Sequence, residues 1–142
     1  MIPAIDKTTG NFETVQYLLL SKAGEILVEI RDDGSIAIPG DYVLTGDLST
    51  NTQADRIVKE RAIDRLLLSN LGVRCLDKEF LCTLEFKEEE KHFNCSYFIC
   101  RNWVGEIQKR TKQNTRLMWV AKGFAVNLLT ESVDKTAVRR MG

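Results

Sequence analysis

Residues 38–73 constrain this chain more than any other stretch, because they must turn sharply, pass a glycine-acid pair and then run as one long helix. Pro39-Gly40 makes the turn, Gly46-Asp47 is the pair, and Gly72 stops the helix as a C-cap would. The helix is expected over about residues 52–70, with Thr52 and Asp55 approximating a capping box at its start. Leu66, Leu67 and Leu68 are consecutive, and at 100° per residue they sweep about 200°, more than one core-facing stripe. At least one of them must therefore face something other than the sheet beneath the helix.

The flanks read as strands. Residues 14–20 and 25–31 are rich in β-branched and aromatic side chains, and Lys22-Ala23-Gly24 between them suggests a β-hairpin. Asp32-Asp33-Gly34 turns the chain into a third short strand before Pro39. Further on, Phe80, Cys82, Leu84 and Phe86 alternate with less apolar residues, and Phe93, Cys95, Tyr97 and Ile99 repeat the pattern, so a long hairpin is expected. Its tip holds Glu88, Glu89 and Glu90, a run read as solvated rather than metal-binding. A strand over residues 116–120, a short helix over 124–129 and a closing helix over 132–141 complete the chain. Residues 1–12 show no period and are expected to be a loose lead-in to a single domain spanning residues 1–142.

The first half of this pattern resembles the Nudix box, the signature of hydrolases that cleave nucleoside diphosphates linked to another group. Ile38-Pro39-Gly40 matches the usual lead-in, Gly46-Asp47 stands for Gly-Glu, and Arg65, Leu67, Gly72 and Val73 fall in register beyond a ten-residue insertion. The strand around Arg116 and Trp119, followed by two helices, resembles the end of such domains. The resemblance implies an α/β Nudix fold, a mixed β-sheet sandwiched between α-helices.

It does not carry the chemistry with it. Positions i, i+3 and i+4 share a helical face, which is how three box glutamates converge on Mg²⁺. Here those positions hold Leu66, Ser69 and Asn70. If the register holds, Leu66 points into the groove where a metal would sit, either buried against an insertion or partner or lining an apolar ligand pocket. The loop that supplies a further carboxylate in many members reads Lys112-Gln113-Asn114-Thr115.

The expectation is a catalytically impaired domain that binds a nucleotide-like molecule or a partner, with no cofactor. Gly40 and a basic rim of Lys109, Arg110 and Arg116 would hold phosphate directly. Arg65 would pair with Asp64, Glu60 or Asp47. The alternative is a Nudix-type hydrolase in which Glu60 and Asp64, with Asp47, form a rearranged acidic site that holds Mg²⁺.

Charge and composition exclude other classes. Twenty basic and twenty acidic residues cancel, and an isoelectric point near 6.6 lacks the basic footprint of nucleic-acid binding. No leader or apolar span near 20 residues is seen, so a soluble cytoplasmic protein without membrane contact is expected. Cys75, Cys82, Cys95 and Cys100 form no CxxC pair and His92 is the lone histidine, so zinc-site spacing is lacking; reduced strand cysteines are expected. Surplus leucines on the central helix are compatible with a homodimer or another protein partner.

Overall fold

The computed structural model describes residues 2–47, 55–108 and 114–142. Seven strands run in the order β1 (Phe12–Leu19), β2 (Glu25–Ile30), β3 (Ile36–Ala37), β4 (Gly40–Tyr42), β5 (Arg74–Glu88), β6 (Lys91–Val104) and β7 (Arg116–Ala121). Helix α1 (Asp55–Leu71) lies between β4 and β5, while α2 (Lys122–Leu128) and α3 (Ser132–Arg140) follow β7. The expected capping box at Thr52 lies outside the described residues.

The expected mixed α/β arrangement forms, with its strands divided between two sheets. One is four-stranded and mixed, in the order β4-β1-β6-β5, with β1 and β6 parallel; the other is three-stranded and antiparallel, in the order β3-β2-β7. This corrects the expected hairpin of β1 and β2, which join different sheets and touch through one bridge, Leu20 to Ile26. Turn residues mark where a chain reverses but not which edge the next strand will join. The lead-in is not loose either: Pro3 bridges Leu44, and the Ala4 N–H donates to the Val43 carbonyl.

Alternation along each strand fills two cores. Val15, Tyr17 and Leu19 of β1 face one way, with Phe98 and Cys100 of β6, and α1 covers them with Ala62, Ile63, Leu66, Leu67 and Leu71. Leu18 faces the other way with Tyr97 and Ile99, and Ala125 of α2, Leu129 just beyond it, and Ala137 and Val138 of α3 close that side. Leu66 is 2% exposed and Leu67 0%, whereas Leu68 is 53% exposed. The expectation that Leu66 faces a groove is thereby corrected: Leu68 is the leucine that leaves the core.

The long hairpin forms, but its apolar residues do not share one face. A register shift between Phe80 and Cys82 turns the strand by one residue. Phe80 therefore packs edge-on against Phe98 on the α1 side, at 5.5 Å between ring centroids, while Cys82 sits with the α3-side core. All four cysteines are free and buried. Gly72, with φ +72°, ends α1 in the left-handed conformation, and its N–H returns to the Leu68 carbonyl.

Candidate functional site

The turn at Pro39-Gly40 delivers β4 against β1 with almost no clearance. A Cβ on Gly40 would stand 2.2 Å from the Val15 carbonyl oxygen and 2.9 Å from Cγ of Gln16, so only glycine fits there. Beyond β4 the chain forms a 3₁₀ turn at Thr45–Asp47, which buries the Asp47 carboxylate. Arg65 reaches it from α1 in a two-pronged pair, Nε to Oδ1 at 2.9 Å and a terminal nitrogen to Oδ2 at 3.0 Å. The same guanidinium donates to the Tyr42 carbonyl, and Asp47 also accepts the Leu44 N–H. Asp47 and Arg65 are thus a clamp between the turn and the helix, with the charge of each already answered.

The positions that would ligate a metal are unsuited to it. Leu66 is a core residue, Ser69 is exposed, and half-buried Asn70 is a neutral amide with the Ser69 hydroxyl at 3.4 Å and the Tyr17 hydroxyl beside it. Nor do the other acids assemble. Asp64 is bound by Lys78 of β5 at 2.8 Å and shares a shallow groove with Glu60, Arg61 and Asp77, whereas Asp47 is held by Arg65. Among the described residues no three His, Cys, Asp or Glu side chains are grouped to hold a metal ion. These donors do not make the hard-oxygen shell that Mg²⁺ requires.

On the opposite face of β1 lies a cleft of about 250 Å³. Its floor is Thr14 and Gln16 of β1 with Cys95 and Tyr97 of β6; β4 gives one wall through Gly40, Asp41 and Tyr42, and the start of α3 gives the other through Glu131, Val133 and Asp134. Phe86, Phe93 and the hairpin-tip residue Glu88 close one end, and Arg31 stands at the rim. The rings form a continuous patch, with centroids 6.2 Å apart for Tyr42 and Phe93 and 6.0 Å for Phe86 and Phe93.

Asp134 is the cleft's buried charge. Its Oδ1 accepts the Tyr97 hydroxyl at 2.5 Å and its Oδ2 accepts the Ile38 N–H at 3.1 Å. Burial pushes its carboxyl above the ordinary aspartate range, outweighing the two hydrogen bonds that favour the ionised form. Burial, reinforced by the Asp134 charge, likewise raises the Tyr97 hydroxyl, so that tyrosine stays a proton donor to the carboxylate. The pair ties α3 to the strand leading into Pro39 and fixes the width of the cleft.

Of the residues expected to hold a ligand, Gly40 lines the cleft, while Arg116 stands exposed at the start of β7 and is not part of its lining. Lys109 and Arg110 lie outside the described residues, as do Lys112 and Gln113. Asn114 contacts Asp32 at 3.4 Å and Thr115 is buried. Sequence reasoning missed Thr14, Gln16, Tyr97 and Asp134. A signal for the first two was present: they are polar residues at the inward positions i and i+2 of a strand whose next residue in that series is Leu18.

Two sheets that meet at the Leu20–Ile26 bridge, one long helix entered through a Pro-Gly turn, and a terminal helix over the other face define the Nudix fold. Solved structures of that fold superpose on nearly the whole chain. A MutT Nudix hydrolase from Burkholderia pseudomallei matches with a TM-score of 0.69 at 17% identity, covering 92% of this chain and 97% of its own. The Nudix domain of Shewanella oneidensis NrtR, solved with ADP-ribose, matches at 0.71 and 13% identity, with 96% and 90% covered. A C. elegans Ap4A hydrolase in a binary complex matches at 0.69 and 13%, with 91% and 93% covered. No protein-family model matches the sequence, and no curated protein matches it either. Among the described residues no helix is long and apolar enough to cross a membrane.

Proposed function

We propose that this chain is a Nudix-fold domain that binds a nucleotide-like molecule in the cleft between β1, β4 and α3 without metal-dependent hydrolysis. One observation carries the reading. The helix positions that would hold Mg²⁺ offer a core leucine, a surface serine and a neutral asparagine, while the nearest box acid, Asp47, is consumed by Arg65. A phosphoanhydride bound there lacks a protein-held cation to polarise it or to activate water. The cleft itself is concave and sets an aromatic wall beside a largely polar lining, a form suited to a small molecule with a flat ring. The ADP-ribose complex of the NrtR Nudix domain supports a nucleotide as the ligand class.

The test is calorimetric titration of ADP-ribose and of a non-hydrolysable nucleoside diphosphate analogue, in Mg²⁺ and in EDTA, beside a chromatographic assay for AMP and ribose 5-phosphate formed from ADP-ribose. Binding that persists in EDTA, with no turnover, is expected. Mg²⁺-dependent turnover that is lost in Glu60→Gln or Asp64→Asn would overturn the reading in favour of hydrolysis from a rearranged acidic site.

A further inference from the structure

Gln16 holds the one polar valence on the cleft floor that the described residues leave open. Its Oε1 is buried and has no hydrogen-bond partner, although the residue as a whole is half-buried and lines the cleft. The hydrogen bonds around it favour one orientation of the amide. Its Nε2 donates to the Thr14 hydroxyl oxygen at 3.0 Å, and that hydroxyl in turn points its proton at the Asn94 carbonyl, at 3.4 Å. A hydroxyl both donates and accepts, and with its proton directed at Asn94 Thr14 favours the amide nitrogen, which leaves the Gln16 oxygen facing away. Nor is the side chain free to swing aside, because β4 passes so close that a single methyl on Gly40 would strike Gln16 Cγ.

A buried acceptor without a donor is costly, and native structures seldom keep one without a use. Around it the cleft is rich in acceptors and poor in donors. Asp41, Glu88, Glu131 and Asp134 bring carboxylates, Arg31 is the one cationic side chain in the lining, and the Tyr97 hydroxyl is already given to Asp134. The aromatic end formed by Tyr42, Phe86 and Phe93 suits a flat ring.

We infer that Gln16 is a specificity-determining residue, whose Oε1 accepts a hydrogen bond from an amino group on the planar ring of the cleft's ligand. This rests on the reading of the cleft as a nucleotide site and names what that site selects: an aminated heterocycle over the same ring without the amine. A site built to receive an N–H rejects the analogue lacking it far more strongly than an apolar pocket rejects a missing methyl.

The experiment uses two pairs of nucleoside monophosphates that differ by one exocyclic amine, adenosine against purine riboside and guanosine against inosine. Affinities are measured by calorimetry on the full chain and on Gln16→Met and Gln16→Glu, whose folding is checked by thermal melting. In the parent, the amine is expected to improve affinity about 10-fold or more in at least one pair. Gln16→Met should erase that advantage and Gln16→Glu, which keeps an acceptor oxygen, should retain it. If the nucleotides bind but the amine brings no advantage, or the advantage survives in Gln16→Met, the role of Gln16 is wrong while the nucleotide site stands. If none of the four binds and ADP-ribose does not bind either, the nucleotide reading of the cleft falls, and this inference with it; if ADP-ribose alone binds, Gln16 is not the reader of a ring amine.

Discussion

Rebuilding the acidic box would test where Leu66 lies. Leu66→Glu removes a side chain that is 2% exposed in the α1-side core, and losing that burial costs about 2–3 kcal/mol. The new carboxyl must then be held among Leu67, Val15 and their neighbours. If burial raises its pKa from about 4.3 to about 7, keeping it there at pH 7 or above costs a further 3–4 kcal/mol or so. The total, about 5–7 kcal/mol, is comparable with the whole stability of a small domain.

The sign is specific. A carboxyl whose folded pKa is raised carries no ionisation penalty below its unfolded value, and the penalty grows as pH rises towards the folded value. Urea unfolding, followed through the stacked Trp103 and Trp119, should show Leu66→Glu much weaker than the parent at pH 8 and only about 2–3 kcal/mol weaker near pH 4.5. Adding Ser69→Glu and Asn70→Glu changes solvent-facing or half-buried positions, and Mg²⁺ should not restore stability to the triple variant, because a carboxylate at the core position 66 cannot join the other two on one cation. Parent-like stability of Leu66→Glu at pH 8 without divalent cations would refute the core placement. Stabilisation of the triple variant by Mg²⁺ would refute it too, by placing position 66 at the groove.

Gly40→Ala should destabilise by about 3 kcal/mol, because the added methyl meets the Val15 carbonyl and β4 cannot yield without leaving β1; a chemical melt decides it. Arg65→Met leaves the 6%-exposed Asp47 carboxylate without its cation and should cost about 2–4 kcal/mol, whereas Asp64→Asn on the exposed flank should cost less than about 1 kcal/mol. In the parent, the raised carboxyl of Asp134 contributes stability that is complete below the ordinary aspartate pKa and is lost as pH rises through its folded value. Asp134→Asn should remove that decline and lower stability by about 1–3 kcal/mol, since an amide cannot accept from both Tyr97 and the Ile38 N–H; unfolding free energies between pH 4 and pH 8 test both statements.

Much of the architecture was legible because its signals are local. Gly72 closes α1 where a left-handed residue was wanted, and the strand, short helix and closing helix after residue 115 follow the expected order. The partner of Arg65 could be narrowed to three acids by reach along the chain, and Asp47 is the one it binds. Local signals failed where long-range pairing decided. The turn at Lys22-Ala23-Gly24 is real, yet β1 takes β4 and β6 as neighbours and leaves β2 to another sheet. Alternation from Phe80 to Phe86 predicted one face, and a single register shift at the sheet edge put Phe80 on the other.

The candidate site divides the same way. That α1 carries Leu66, Ser69 and Asn70 and no carboxylate at these three positions is a property of covalent order, and no folding could supply one. Which leucine leaves the core, which polar residues of β1 meet the head of α3, and where an amide oxygen is left without a donor depend on chain segments tens of residues apart. Thr14, Gln16, Tyr97 and Asp134 become a site only because β1 and β6 pair in parallel and α3 folds back over them, a contact that residue spacing does not encode.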